Sequence, residues 1–319
     1  MNPENIKITA DALINNIEKI IFGKRERIKY VIAALLCGGH VLLDDIPGTG
    51  KTSLARALSA SLDTECRRIQ FTPDLLPSDI CGINYYNQKS GEFVFRRGPI
   101  FSQVIIADEI NRTTPRTQSA LLECMQERQA TVDGVTYPLA FPFFVIATQN
   151  PLESSGTFPL PEAQIDRFFM RLSLGYPDTD AEKQLLDEYR EKENTDKIKS
   201  LTPVCSNEML AQLCDDVRNI HVSEAVRDYI VALAAASRES ELVRTGISPR
   251  GTLALMHAAQ AWAGISGRDH VIPDDVKAVA VPVMAHRLIS RSQNTVRLTQ
   301  SNESIVEYLL QKVPAPIEI

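Results

Sequence analysis

The sequence lacks the segments that mark membrane-spanning or secreted proteins. None of its apolar runs reaches the roughly 20 residues that a transmembrane helix requires. Residues 1–8 are charged and polar where a signal peptide would have an apolar core. The six cysteines form no C-x-x-C pair, which predicts reduced, structural thiols with neither disulfides nor a zinc site. We therefore expect a cytoplasmic protein.

The chain also lacks the charge and the ligand clusters of several functional classes. Its five histidines show no metal-ligand spacing, and its formal net charge is -6. Such a chain is not drawn to nucleic acid or to an anionic membrane by its overall charge. The sequence has no internal repeat and no low-complexity segment. With 319 residues, 44% hydrophobic and 23% charged, it has the composition of a globular protein of about two domains.

The N-terminal part of the chain alternates helical and strand-like patterns. The strand-like runs lie at residues 41–43, 104–107 and 143–147, and the helical patterns at 9–36, interrupted near Phe22-Gly23, and at 51–61. Short, continuous apolar runs separated by helices are typical of a parallel sheet that is covered on both faces. We therefore predict an α/β fold with a parallel sheet flanked by helices.

The C-terminal part shows a different pattern. Four helical stretches are predicted there, at residues 207–219, 223–240, 249–264 and 273–290. Prolines near the expected first turns support two of these helix starts. The charged, polar stretch 188–200 is the best candidate for a linker. The prediction is an α/β domain of residues 1–190 followed by a smaller all-α domain of residues 200–319.

A phosphate-binding loop is predicted between the first strand and the helix after it. It comprises Pro47, Gly48, Thr49, Gly50, Lys51, Thr52 and Ser53. The two glycines allow successive backbone N–H groups to turn toward phosphates, and the helix N-terminus adds its positive dipole. Lys51 is predicted to reach the β- and γ-phosphates of ATP, and the Thr52 hydroxyl to hold Mg²⁺. One position departs from the general G-x-x-x-x-G-K-[ST] pattern, because Asp45 stands where the first glycine is expected.

Two carboxylates end the second strand-like run. Ligands bind at the carboxyl ends of parallel strands, so Asp108 is expected beside the phosphate loop as a Mg²⁺ ligand. Glu109 is then positioned to polarise a water molecule that attacks the γ-phosphate. The third run ends in Thr148-Gln149-Asn150, and a polar side chain there can orient that water or contact the γ-phosphate. The alternative interpretation is that Asn150 only forms a turn before Pro151.

The chain resembles the MoxR family of AAA+ ATPases over nearly its whole length. The matching strings are residues 71–80 (FTPDLLPSDI), 97–101 (RGPIF), 107–112 (ADEINR), 121–128 (LLECMQER), 147–151 (ATQNP), 160–168 (LPEAQIDRF), 248–250 (SPR) and 267–269 (GRD). The resemblance implies a P-loop AAA+ domain with a C-terminal helical lid. It also implies that residues 78–103 form a helix-2 insert and residues 126–142 a pre-sensor-1 hairpin.

The resemblance further implies roles for single residues. Asn150 is similar to sensor 1, and Arg250 to sensor 2, which contacts the γ-phosphate of its own chain. Arg167 is similar to the arginine finger that reaches the site of a neighbouring subunit, with Arg171 and Arg112 as rivals for that role. Phe22 and Gly23 lie where the family contacts the adenine.

The family resemblance implies a ring, with six copies, that remodels or chaperones client complexes. It implies ATP and Mg²⁺ as cofactors, and proteins with a von Willebrand factor A domain as clients or adaptors. Two alternatives remain open, an ATPase subunit of the magnesium-chelatase type and a nucleotide-gated assembly scaffold with little turnover. A nucleic-acid motor is disfavoured because the sequence contains no DNA-binding module and the chain is acidic.

Overall fold

The computed structural model describes residues 3–150, 156–191, 197–291 and 301–316. Eleven strands are found in these residues: β1 (Val41–Asp44), β2 (Cys66–Gln70), β3 (Gly82–Asn87), β4 (Glu92–Arg97), β5 (Val104–Asp108), β6 (Gln129–Val132), β7 (Val135–Pro138), β8 (Phe144–Gln149), β9 (Met170–Leu172), β10 (Val243–Thr245) and β11 (Ile289–Ser290). The same residues contain twelve α-helices: α1 (Pro3–Glu18), α2 (Arg25–Leu36), α3 (Lys51–Ser61), α4 (Pro77–Cys81), α5 (Pro115–Glu127), α6 (Glu162–Ile165), α7 (Thr179–Glu191), α8 (Asn207–Arg218), α9 (Glu224–Glu239), α10 (Pro249–Ile265), α11 (Pro273–Met284) and α12 (Asn302–Lys312).

A parallel sheet of five strands forms the centre of the α/β part. Its strand order is β2-β5-β8-β1-β9, and the registers of all four neighbouring pairs are parallel. The middle strands are buried on both faces, which is why β5 and β8 read as continuous apolar runs in the sequence. Parallel pairing brings the carboxyl ends of β1, β5 and β8 to one edge of the sheet. We call this the carboxyl edge, and the opposite side the amino edge.

The sheet separates two hydrophobic cores, because successive side chains of a strand point to opposite faces. Leu43 and Ile106 belong to a core that also takes in α1, α2, α3 and the C-terminal helices. Leu42 and Ile105 belong to a second core, built with α4 and α5. The first core joins the N-terminal helices directly to the C-terminal ones. The predicted division into residues 1–190 and 200–319 is based on sequence patterns, and one hydrophobic core contains residues of both parts.

A buried histidine fixes the amino edge. The Nδ1 atom of His40, which precedes β1, accepts a hydrogen bond from the backbone N–H of Val145 at 3.0 Å, and Nε2 lies 3.0 Å from the carbonyl oxygen of Met125. Burial lowers the pKa of His40 to about 4, so the ring is neutral and can accept at one nitrogen while it donates at the other. The His40 carbonyl oxygen in turn accepts from the N–H of Phe169 at 2.8 Å. Strand β9 is thereby aligned with β1.

Two antiparallel hairpins project from the α/β part. The hairpin β3–β4 lies within residues 78–103, and β6–β7 within residues 126–142. The turn of the second hairpin has positive φ at Asp133 (48°) and Gly134 (80°), the conformation that a tight two-residue turn requires. The hairpin that the family resemblance implies within residues 126–142 is therefore present.

The fold class predicted from the sequence is confirmed, with corrections to single elements. The interruption near Phe22-Gly23 separates α1 from α2. The predicted linker 188–200 was in part wrong, because residues 188–191 continue α7 and Lys197–Ser200 form a 3-10 turn, and residues 192–196 lie outside the described residues. The last predicted helix ends at Met284 rather than at residue 290, since a 3-10 turn and β11 follow. Across the described ranges, no helix has the length and apolarity to cross a membrane.

The start of α11 depends on a buried ion pair. The carboxylate of Asp275 is 2% exposed, accepts from Arg268 Nη2 at 2.6 Å, and also accepts from the backbone N–H of Ile272 at 2.9 Å. Asp275→Ala leaves the guanidinium and that N–H without their acceptor. We expect a loss of about 3 kcal/mol in the free energy of unfolding, measured by urea denaturation.

The neighbouring residue provides a matched control for this substitution. Asp274 lies in the same helical turn, but its ion pair with Lys277 is exposed to solvent, and exposed pairs contribute little. Asp274→Ala should therefore cost far less than Asp275→Ala. Equal losses for the two variants would contradict the structural role of the Asp275 pair.

Candidate active site

The phosphate loop leaves the end of β1 and enters α3. Gly48 and Gly50 have φ values of 86° and 87°, in the left-handed region that favours glycine, and Gly50 is the N-cap of α3. The Lys51 Nζ atom donates to the carbonyl oxygens of Asp45 at 2.8 Å and Ile46 at 3.1 Å. The lysine side chain therefore folds back across the loop, where a phosphate bound to the backbone N–H groups would meet its charge.

The departure at Asp45 from the general loop pattern has a structural explanation. Asp45 is 5% exposed, and its carboxylate accepts three hydrogen bonds from the segment that follows β9. The donors are the Ser173 hydroxyl at 2.7 Å, the N–H of Leu174 at 2.6 Å and the N–H of Gly175 at 3.1 Å. The carboxylate thus anchors the start of the phosphate loop to the neighbouring chain segment, which a glycine cannot do.

Asp108 lies at the carboxyl end of β5 and is held from two sides. Its Oδ1 atom accepts from the Thr148 hydroxyl at 2.6 Å. Its Oδ2 atom accepts from the Arg68 guanidinium, at 3.0 Å from Nε and 2.6 Å from Nη2. The carboxylate is 13% exposed and the arginine 52% exposed, so the pair lies at the rim of the site.

Glu109 occupies a strained position directly after β5. Its φ of 57° is left-handed, which is uncommon for a residue with a side chain. The Glu109 N–H donates to the Thr148 hydroxyl at 2.9 Å and so helps to hold this turn. Its Oε2 atom accepts from Gln70 Nε2 at 2.7 Å and from Arg112 Nη1 at 3.1 Å. Gln70 and Arg112 therefore orient the carboxylate, while Thr148 holds the backbone of the turn.

These groups line one cavity of about 410 Å³ at the carboxyl edge. Its walls are Pro47, Gly48, Gly50, Lys51, Thr52, Ser53, Arg68, Asp108, Glu109, Thr148, Gln149 and Asn150. Most of the loop residues predicted from the sequence and all three strand-end residues are therefore brought together. Thr49 belongs to the loop, and its hydroxyl donates to the Ile46 carbonyl at 3.3 Å. A larger cavity of about 510 Å³ lies between α4, α5 and β6, away from the phosphate loop.

Phe22 and Gly23 are not among the residues that line this cavity, although the preceding Ile21 approaches the phosphate loop. A β-carbon placed on Gly50 would lie 3.3 Å from Cδ1 of Ile21, so the turn between α1 and α2 approaches the start of α3. Gly23 has a φ of 66°, and a β-carbon there would lie 3.0 Å from Cβ of Ala181. The adenine contact of Phe22 and Gly23 stays a prediction.

Arg167 and Arg250 are not brought to the cavity of their own chain. Arg167 lies between α6 and β9, and Phe169 just after it pairs with His40 at the start of β1. Arg250 is exposed at the start of α10, where the Ser248 hydroxyl donates to Asp166 at 3.2 Å. Both arginines therefore lie at the amino edge, opposite to the phosphate loop. Arg250 is not among the residues that line the cavity of its own chain, and its contact with a γ-phosphate stays a prediction.

The two rival arginines are engaged within their own chain. Arg112 forms an ion pair with Glu109, and Arg171 forms one with Asp44 at the end of β1. The side chain of Arg167, in contrast, makes no hydrogen bond or ion pair with any residue that the structure describes. Of the three candidates, Arg167 is the one whose guanidinium is not held by an acid of its own site.

Sequence reasoning missed Arg68, Gln70 and Thr148. Arg68 and Gln70 belong to β2, an edge strand with one buried residue, whose arginines conceal the strand pattern. Thr148 lies in the Thr148-Gln149-Asn150 string that was singled out for its polar character, but its contacts with Asp108 and Glu109 depend on the register of β5 and β8.

Comparison with known proteins gives consistent matches along the chain. Residues 40–170 match the model of the ATPase family associated with various cellular activities (AAA), and residues 235–308 match that of the AAA lid domain. The chain is 38% identical to Chaperone MoxR1 of Mycobacterium tuberculosis, covering 97% of this chain and 82% of that protein. It is 32% identical to Protein MoxR of Paracoccus denitrificans, covering 96% and 95%.

Two further matches are an uncharacterized protein and a solved structure. The chain is 46% identical to the uncharacterized protein YeaC of Bacillus subtilis, over 96% of this chain and 94% of that one. A crystal structure from Cytophaga hutchinsonii, described provisionally as an ATPase, superposes with a TM-score of 0.90 at 36% identity. It covers 99% of this chain and 97% of its own.

The anchoring role of Asp45 is testable by introducing the residue of the general pattern. Asp45→Gly removes a buried acceptor and leaves the N–H groups of Leu174 and Gly175 unpaired. We expect a loss of roughly 3 kcal/mol in the free energy of unfolding, and a weaker affinity for ATP in calorimetry. Asp45→Asn keeps one acceptor oxygen, so its stability and its affinity for ATP should lie between those of the parent and of Asp45→Gly. A glycine variant as stable as the parent would refute this role.

Proposed function

The chain belongs to the MoxR family of AAA+ ATPases, and from this membership we propose a Mg²⁺-dependent ATP hydrolase whose active site is completed by a second copy of the chain. The observation that carries the proposal is the convergence of the phosphate loop with Asp108, Glu109 and Asn150 on one cavity at the carboxyl edge. A cavity of about 410 Å³ is large enough for a nucleotide triphosphate group.

The donor set of the cavity fits a magnesium ion. Thr52 contributes a hydroxyl and Asp108 a carboxylate, and both line the cavity. Such hard oxygen donors suit Mg²⁺, which usually takes one or two protein ligands together with substrate phosphates and water. When bound, Mg²⁺ would neutralise charge on the β- and γ-phosphates of ATP. Thr148 orients the Asp108 carboxylate through its 2.6 Å hydrogen bond.

We propose an in-line attack of water on the γ-phosphate. Glu109 polarises the water, and its bonds with Gln70 and Arg112 fix the direction of the carboxylate. Lys51 neutralises charge on the β- and γ-phosphates, while Asn150 holds the water or the γ-phosphate from the end of β8. The protein itself forms no covalent bond to the phosphate in this step, because positioning of the water and stabilisation of the developing charge supply most of the rate enhancement.

The arginines are proposed to act on the site of a neighbouring copy. A head-to-tail ring apposes the amino edge of one subunit and the carboxyl edge of the next, because such interfaces join two different surfaces of the same chain. Arg167 would then stabilise the transition state in the neighbour's site. For Arg250, the location at the amino edge supports action on the neighbour rather than on its own nucleotide. Six copies are proposed from the family resemblance.

We propose chaperone-like remodelling of client protein complexes as the use of the cycle, in line with the name of the relative Chaperone MoxR1. Proteins with a von Willebrand factor A domain are the proposed clients or adaptors. A magnesium-chelatase type of subunit is the second candidate among enzymes. A scaffold with little turnover is the alternative outside catalysis, and the oriented Glu109 carboxylate argues against it.

Glu109→Gln should retain ATP binding and stall hydrolysis, because an amide cannot take up a proton as a carboxylate can. Calorimetry would follow binding, and phosphate release would follow turnover. A variant that hydrolyses ATP at the parental rate would show that another residue orients the water. Pull-down with this ATP-bound variant also tests the partner proposal, which predicts capture of von Willebrand factor A domain proteins.

Mixed rings test the shared site. Lys51→Ala subunits should bind ATP weakly, and Arg167→Ala subunits should bind ATP but hydrolyse it on the order of 10³-fold more slowly. In a mixture, some interfaces combine an intact phosphate loop with an intact arginine, so phosphate release should return although each variant alone is nearly inactive. Background activity after confirmed subunit exchange would exclude Arg167 from the proposed role.

A further inference from the structure

The carboxylate just before Arg167 connects the α/β part to the helical lid. Asp166 Oδ1 accepts from Arg287 Nε at 2.8 Å, and Oδ2 accepts from the Ser248 hydroxyl at 3.2 Å. Ser248 is the N-cap of α10, and its side chain also accepts from the N–H of Gly251. One carboxylate therefore contacts the lid at the start of α10 and at the turn after α11.

Arg287 holds the backbone on both sides of Arg167. Besides the Asp166 carboxylate, its guanidinium donates to the carbonyl oxygens of Asp166 at 3.4 Å, Phe168 at 2.7 Å and Phe169 at 3.2 Å. His286 Nε2 also lies 3.1 Å from the Phe168 carbonyl oxygen. Two adjacent lid residues thus bond the chain immediately before and after Arg167.

Arg287 is buried, so its guanidinium requires hydrogen-bond and ion-pair partners. The Arg287 side chain is 2% exposed, and burial lowers its pKa to about 10, with Asp166 opposing that shift and the nearby Arg250 adding to it. The group is therefore still charged at neutral pH and requires its acceptors. Burial also keeps the pKa of His286 well below its usual value, so this ring contributes a neutral contact.

We propose that Arg287 is a positioning residue that directs Arg167 of the same chain into the active site of the neighbouring copy. The inference rests on the proposed function of Arg167. Arg287 itself is not among the residues that line the phosphate-loop cavity. It fixes the segment from Asp166 to Phe169 against the lid, so that the free side chain of Arg167 leaves a rigid backbone. The Asp166–Ser248 hydrogen bond fixes the start of α10, which contains Arg250, against the same segment.

The test uses Arg287→Lys, which retains the positive charge but cannot reach all of these acceptors. We expect kcat to fall roughly 10²-fold, as for a misplaced catalytic group, while the affinity for ATP and the assembled mass stay at parental values. The decisive readout is complementation. Mixed with Lys51→Ala subunits, Arg287→Lys should regain phosphate release, and mixed with Arg167→Ala subunits it should not.

A matched control separates this role from lid attachment in general. Glu162 on α6 forms an exposed ion pair with Arg244 of the lid at 3.6 Å. Glu162→Gln breaks this second contact between α6 and the lid, and its kcat should remain parental. If Arg287→Lys does not fold, Asp166→Asn enters the same mixtures with the same expectation, since it removes the charge that pairs with Arg287.

The outcomes distinguish the two proposals. If Arg167→Ala complements Lys51→Ala but the Arg287 or Asp166 variant does not, the positioning role is overturned and the shared site stands. A variant that loses ATP affinity in its own site also overturns it, because the defect then lies in general folding. If Arg167→Ala itself fails to complement, both the shared site and the inference built on it fall.

Discussion

The parallel alignment of β5, β8 and β1 is the constraint on which the site depends. Each strand contributes candidate site residues only at its carboxyl end: Asp108 at the end of β5 and Glu109 just after it, Asn150 after β8, and the phosphate loop after β1. The cross-strand bond from Thr148 to Asp108 exists because the register sets the two strand ends side by side. If β8 were antiparallel to β5, its polar end would lie at the amino edge, away from Asp108.

The same alignment separates the charged residues that we propose to act on ATP into two groups. Lysine and carboxylates collect at the carboxyl edge, and Arg167 and Arg250 at the amino edge, with four residues of β1 between the edges. If both groups act on one nucleotide, as we propose, two chains are needed to bring them together. The proposed head-to-tail ring would place the amino edge of one copy beside the carboxyl edge of the next, so that assembly and catalysis would become one requirement.

The sequence predicted the parts of the fold whose patterns are local. The apolar run of β5 and the Gly-rich loop carry their own signals, because burial on both faces and positive φ each restrict the residue types. The anchoring of Asp45 and the contacts of Arg287 could not be predicted, since their partners lie more than a hundred residues away in sequence. The edge strand β2 was missed because its exposed arginines interrupt the apolar pattern.

The central claim is that two copies build each active site, and the dependence of turnover on protein concentration tests it most directly. Phosphate release per chain would be measured across a dilution series with saturating ATP and Mg²⁺, with the assembled mass followed by light scattering. The account predicts that activity per chain rises with the assembled fraction and vanishes in the monomer. A monomer that hydrolyses ATP as fast per chain as the assembly would contradict it.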